Sequence, residues 1–150
     1  MRAYLIAAAL MMCAVNALGV PPSGIISGKG TADLGEGVTG ILDLWVAFGP
    51  TSKYVSKFKF STPHPLGGQS LFKGSTLTEY YVSGSHPLVV ILRVQGTWNG
   101  TPAICVVAVV DDYLGKDWVV IYIGDQFGNN LWHYWAGVIT TGAFRVNLVP

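Results

Sequence analysis

The stretch LVVILRVQGTWNGTPAICVVAVV, residues 88–110, decides the fold class of this chain. It contains two continuous apolar runs, 88–94 and 103–110, rich in the β-branched residues that pack well in strands. Asn99 and Gly100 lie between the runs, and both central positions of a type I′ turn need a positive φ, which Asn and Gly adopt readily. The stretch therefore predicts a β-hairpin whose strands are central in a sheet or covered on both faces.

Strand-like patterns continue on both sides of this hairpin. They are predicted at residues 41–48, 53–61, 70–73, 77–82, 118–123, 131–135 and 144–148. The connections carry Gly, Pro, Asn and Asp and are too short for crossover helices, so successive strands should pair antiparallel. We predict an all-β fold, an antiparallel β-sandwich or barrel of about eight to ten short strands with a C-terminal meander.

The chain has 150 residues, enough for one domain. Arg2 precedes a short apolar run, and small residues follow at Ala17 and Gly19, so residues 1–19 are predicted to be a signal peptide and the protein to be secreted. Residues 20–37 are predicted to form an extended N-terminal arm, with at most one short strand at 24–27, and residues 38–150 a single β-sandwich domain. No other run is long enough to span a membrane.

Composition narrows the classes of partner. The hydrophobic fraction of 51% excludes intrinsic disorder. The formal net charge is +1 with 11% charged residues, so no broad positive field is available for nucleic acid. Removal of the signal peptide leaves Cys105 as the one cysteine, which excludes an internal disulfide. We expect Cys105 to be a buried free thiol, with an intermolecular bridge as the alternative.

Two predicted turns form a candidate ligand-binding end. Alternate turns of a meander share one end of the sheet, so the turns at 95–101 and 124–130 should lie side by side. The candidate ligand-binding residues there are Trp98, Asp125, Phe127, Asn129, Asn130 and Trp132. Aromatic faces stack on sugar rings, and amide and carboxylate groups bond their hydroxyls, so glycan is the predicted ligand. The alternative is structural: Trp98 packing across the hairpin and Trp132 lying in the core.

Other polar residues carry weaker hypotheses. Asn99-Gly100-Thr101 is an acceptor for N-glycosylation. Lys53, Lys57 and Lys59 share one face of a strand, and such a row is either solvated or a patch for acidic polysaccharide. Weak candidates for a calcium site are Asp111, Asp112 and Asp117; no other cofactor is expected.

No catalytic motif stands out, and the three histidines lie in different segments. Glu79 with Asp43 or Asp125 is the conceivable carboxylate pair of a glycosidase. The sequence thus favours a secreted, non-enzymatic module that binds glycan or another extracellular macromolecule. A self-assembling protein of an extracellular matrix or coat is the alternative, and a small secreted hydrolase a minority one. The oligomeric state is left open.

Overall fold

The structure is a computed structural model that describes residues 22–83, 87–111 and 116–149. The predicted signal peptide, residues 1–19, lies outside the described residues, as does Asp112. The strands are β1 Ser23–Asp33, β2 Thr39–Phe48, β3 Tyr54–Pro63, β4 Gln69–Ser83, β5 Leu88–Trp98, β6 Thr101–Asp111, β7 Trp118–Asp125 and β8 Leu131–Val149. Within these ranges no helix is long and apolar enough to cross a membrane.

The eight described strands form a closed barrel in which each strand pairs antiparallel with the next. The first part of β8 pairs with β7, as far as Val138 opposite Trp118. The rest of β8 pairs with β1, as far as Val149 opposite Ser23. The long last strand therefore closes the sheet on itself. The prediction of an all-β antiparallel fold is confirmed, and the barrel is the form it takes.

Alternate residues of every strand point into the barrel, as the two-residue period of a strand requires. Bulky side chains fill the interior, and Phe58, Phe60 and Phe72 are at most 2% exposed. Cys105 also lies there as a buried free thiol, in agreement with the sequence-based expectation. Burial raises the pKa of this thiol far above its usual value, so it stays protonated and unreactive. A hydrophobic core thus holds the fold together.

The N-terminal arm is more regular than the sequence predicts, because residues 23–33 form the full-length strand β1. Gly28 and Gly30 reduce the strand signal, yet the packing requires them. A Cβ at Gly28 would overlap the carbonyl oxygen of Ala143, and a Cβ at Gly30 would lie 3.2 Å from Cε2 of Phe144. The missing side chains make room for the Phe144 ring across the β1–β8 contact.

Bulges account for the other differences. The sequence predicts that Tyr54 shares a face with Phe58, but the β2–β3 register shifts between Trp45 and Val46. Val55 therefore packs against the core and Tyr54 is 61% exposed. Strand β4 spans two predicted strands because its register also shifts, and β8 joins 131–135 to 144–148 across a further shift. A bulge changes which face a residue occupies without ending the strand.

Candidate functional site

The β5–β6 turn has the conformation that the sequence predicts. Asn99 and Gly100 adopt φ values of 50° and 85°, as a type I′ turn requires. The backbone N–H of Asn99 donates to the carbonyl of Leu71 at 2.9 Å, and its Oδ1 accepts from the Leu71 N–H at 2.8 Å. Its Nδ2 donates to Oγ of Ser70 at 3.3 Å. Asn99 therefore fastens the hairpin to strand β4.

The β7–β8 turn is organised around Asp125. Its Oδ1 accepts from the backbone N–H groups of Phe127 and Asn129, each at 3.0 Å, and its Oδ2 accepts from Nδ2 of Asn130. Desolvation opposes ionisation, but these hydrogen bonds outweigh it and hold the pKa of Asp125 below its usual value. Asp125, Asn129 and Asn130 thus build the turn, and Phe127 projects from it with 70% exposure.

A groove of about 580 Å³ runs on the outer side of the barrel between this turn and strands β4 to β6. The residues that line it are Lys73, Gly74, Ser75, Gln95, Gly96, Thr97, Pro102, Ala103, Gln126 and Phe127. Phe127 and Gln126 come from the β7–β8 turn, whereas Thr97 and Pro102 flank the β5–β6 turn. The structure therefore brings together the two turns that meander geometry predicts to be neighbours.

Close contact between β4 and β5 shapes the floor of the groove. An extra residue in β4, Ser75, interrupts the register, and its Oγ donates to the carbonyl of Gln95 at 3.2 Å. Gly96 lies directly against β4, since a Cβ there would overlap the carbonyl oxygen of Lys73. A Cβ at Gly74 would lie 2.5 Å from Cγ1 of Val94. Both glycines allow the backbones of β4 and β5 to approach each other closely.

Lys73, which lines the groove, begins a cross-strand row of charged residues. Lys73 is directly opposite Lys59 of β3, which is opposite Asp43 of β2, which is opposite Lys29 of β1. The carboxylate of Asp43 lies 3.3 Å from Nζ of Lys57. Within the described residues no ion pair or hydrogen bond engages the amines of Lys29, Lys59 or Lys73. Like charges facing each other across strands, as Lys73 and Lys59 do, are unfavourable, and Asp43 lies on the other side of Lys59. Lys53 stands apart, donating to the carbonyl of Thr78.

Trp98 is placed differently from the other aromatic candidates. It is 7% exposed and faces the barrel interior, where its ring stacks on Phe60 with centroids 6.5 Å apart and also meets Trp135 at 6.0 Å. His133 lies 5.2 Å from Trp98, and desolvation lowers the pKa of its imidazole. Trp132, by contrast, is 38% exposed. Trp98 thus packs in the core rather than offering a free ring face.

Of the carboxylates that sequence analysis considered for catalysis or metal binding, those within the described residues have structural partners. Glu79 accepts from Arg93 at 3.0 Å, and Asp117 accepts from the backbone N–H of Phe144 at 3.0 Å. In the described ranges no group of three or more His, Cys, Asp and Glu side chains is arranged to hold a metal ion. Because Asp112 lies outside those ranges, the three-aspartate calcium hypothesis stays a prediction.

The groove adds Lys73, which sequence analysis missed, whereas Gln95 and Gln126 lie in the two turns predicted to meet there. Their pattern is not distinctive, because each occupies an ordinary polar position of a strand or turn. The one available signal is the pair Gly74 and Gly96, which interrupt two strands and mark a close backbone approach. The chain matches no protein-family model, no curated protein and no solved structure.

Proposed function

We propose that this protein is a secreted, non-enzymatic module that binds glycan in the outer groove beside Phe127. The observation that carries the proposal is the pairing of one exposed aromatic ring with polar side chains across a defined depression. Phe127 is 70% exposed, and the amides of Gln95 and Gln126 line the same groove. An aromatic face covers the apolar face of a pyranose, and amides donate to and accept from its hydroxyls.

The size of the groove agrees with an oligosaccharide ligand. Its volume of about 580 Å³ falls within the range of small-molecule sites. The rigid turn supports such binding, since three hydrogen bonds to Asp125 hold the loop that carries Phe127. A ring that is already positioned loses little conformational freedom when a ligand binds.

The charge at the groove favours acidic sugars. Lys73 lines the groove and faces Lys59, and in the described part of the chain no ion pair engages either amine, although Asp43 lies opposite Lys59 on its other side. A carboxylate or sulfate on the glycan would relieve the repulsion between the two ammonium groups. Uronic acid or sulfated oligosaccharides should therefore bind more tightly than neutral ones of equal length.

The experiment is a glycan array followed by calorimetric titration of the best ligand with wild type and Phe127→Ala. We expect the variant to lose at least about tenfold in affinity, the order of a stacking contact of ~1.5 kcal/mol. Tyr54→Ala is the matched control, because Tyr54 is also an exposed ring, at 61%, and does not line the groove. An array that stays empty, or equal losses in both variants, contradicts the proposal.

N-terminal sequencing of the secreted protein tests the predicted signal peptide. We expect Val20 to be the first residue of the secreted protein.

A further inference from the structure

Basic side chains are concentrated on one side of the barrel, although the formal net charge of the whole chain is only +1. Two neighbouring cross-strand rows on the outer surface carry them, and we call these two rows the cationic band. The rows are Lys73–Lys59–Asp43–Lys29 on strands β4 to β1 and Lys57–Trp45–Ser27–Arg145 on strands β3, β2, β1 and β8. The band therefore holds five positive charges against the one negative charge of Asp43.

Strand alternation places the basic side chains on the outside of the barrel. Phe58 is buried in the interior, so its neighbours Lys57 and Lys59 must point outward. Phe144 is also buried, which turns Arg145 outward in the same way. All five basic side chains of the band are exposed to solvent, so a ligand can reach each of them.

Most of the positive charge of the band is not neutralised by the protein itself. Nζ of Lys57 lies 3.3 Å from the carboxylate of Asp43. Within the residues that the structure describes, no ion pair engages the other four basic side chains of the band. Two further carboxylates are held elsewhere: Glu79 pairs with Arg93, and backbone N–H groups of the β7–β8 turn engage Asp125. Such a concentration of one sign of charge attracts a polyanion.

The band curves with the barrel, and its curvature restricts the kind of polyanion. The two rows together cross β4, β3, β2, β1 and β8, which is four of the eight strand-to-strand steps of the closed sheet. Lys73 and Arg145 therefore lie on different sides of the barrel, and a flat lipid surface cannot contact both. A flexible chain can follow the curve, over a path of about 19 Å for four strand spacings.

The spacing of the charges and an exposed indole favour an acidic polysaccharide as that chain. Lys59 and Lys29 lie two strands apart, about 10 Å, whereas duplex DNA carries roughly one charge per 1.7 Å of its axis. Carboxylates on a polysaccharide are separated by whole sugar rings, so a sparse row of cations suits them better. Trp45, which is 37% exposed, lies opposite Lys57, and an indole face packs well against the apolar face of a sugar.

We propose that the cationic band binds an acidic polysaccharide chain, which extends from the groove beside Phe127 round the barrel towards Arg145. Lys73 lines that groove and also begins the first row of the band, so the two surfaces are continuous. This inference rests on the proposed glycan binding and adds that the ligand is a long acidic chain rather than a short oligosaccharide. Contacts along one chain act together, so affinity should increase with the length of the chain.

The test is calorimetric titration of the secreted protein with a short oligogalacturonate that fits within the groove and with polygalacturonate. We expect the double variant Lys29→Gln/Arg145→Gln to bind polygalacturonate about tenfold more weakly than wild type, and with a smaller salt dependence. Its affinity for the short oligogalacturonate should be unchanged, because neither residue lines the groove. Trp45→Ala should likewise weaken binding of the long chain alone. The matched controls are Lys116→Gln and Trp118→Ala, which alter an exposed lysine and an exposed tryptophan outside the band and should bind both ligands as wild type does.

Several results would overturn this inference. If polygalacturonate binds no more tightly than the short ligand, or binds the band variants as tightly as wild type, the groove acts alone and the proposed function still stands. If Phe127→Ala binds polygalacturonate as wild type does, the chain does not pass through the groove. If duplex DNA or vesicles of anionic phospholipid bind more tightly than polygalacturonate and lose affinity in the double variant, the partner is of another class. If neither galacturonate ligand nor any array glycan binds wild type, the proposed function and this inference fail together.

Discussion

At the scale of single residues, Asn99 combines two roles that sequence analysis treats separately. Its φ of 50° serves the turn, and its amide bonds Leu71 and Ser70 of β4. We expect Asn99→Ala to lower the free energy of unfolding by about 1–3 kcal/mol, since it loses the hydrogen bonds and places Ala at a positive φ. Asn99→Gly keeps the turn conformation and should cost less. Urea denaturation of both variants separates the roles, and equal losses would contradict this division.

The same side chain bears on glycosylation. A glycan on Nδ2 of Asn99 would compete with the hydrogen bond to Oγ of Ser70. Glycosylation of the acceptor triplet would therefore disturb a contact that joins the β5–β6 hairpin to strand β4. Thr101→Ala destroys the acceptor triplet but leaves the Asn99 amide in place. A comparison of the mass of the secreted variant with that of the secreted wild type therefore shows whether Asn99 is glycosylated.

His133 is expected to make the stability of the fold depend on pH. Desolvation beside Trp98 lowers the pKa of its imidazole in the folded state, so the unfolded chain, with a pKa of about 6.5, takes up the proton first as pH falls. The unfolded state is then favoured, and the free energy of unfolding should decrease on going below about pH 6.5. The melting temperature should therefore fall between pH 8 and pH 5, and His133→Gln should make this fall smaller. The control His64→Gln, in the β3–β4 turn, should retain it.

At the scale of strands, the repulsion between β3 and β4 can be tested directly. Lys73 is opposite Lys59 and Thr97, with no carboxylate across from it. Lys73→Glu should form a cross-strand pair with Lys59 and stabilise the barrel by up to about 1 kcal/mol at low salt. It should also weaken binding of acidic oligosaccharides. Lys73→Gln, which removes the charge alone, should lie between wild type and Lys73→Glu in both measurements. A loss of stability in Lys73→Glu would contradict the repulsion.

The strands also show what a sequence can predict. Local patterns were sufficient for the β5–β6 hairpin and for the alternation of Phe58 and Phe60 with Lys57 and Lys59. They failed where a bulge changed the face, as at Tyr54, because the extra residue is determined by the neighbouring strand. Local patterns failed for β1 because Gly28 and Gly30 make room for the bulky side chain of Phe144, which is more than a hundred residues away in the sequence. The groove was half predicted: its two turns were identified, whereas Lys73 depends on pairing between strands.

At the scale of the whole molecule, barrel closure joins the first and last strands. The contact of β1 with β8 spans most of the chain, whereas β5 and β6 are joined by a two-residue turn. Closing a long loop costs more entropy than closing a short one, so β1–β8 pairing should form late in folding. Mutations at the closure should then act on the unfolding rate, and mutations in the central hairpin on the folding rate.

Two buried side chains test this order. Phe144→Ala removes the ring that covers Gly30 at the closure, and Leu92→Ala removes a buried side chain from the central hairpin. Each should cost about 2–5 kcal/mol in the free energy of unfolding. In stopped-flow denaturant jumps, Phe144→Ala should unfold faster with a nearly unchanged folding rate, and Leu92→Ala should fold more slowly. If Phe144→Ala slows folding as much as Leu92→Ala does, β1–β8 pairing is already formed in the folding transition state. The order in which strands pair would then be determined by core packing rather than by the length of the loop that is closed.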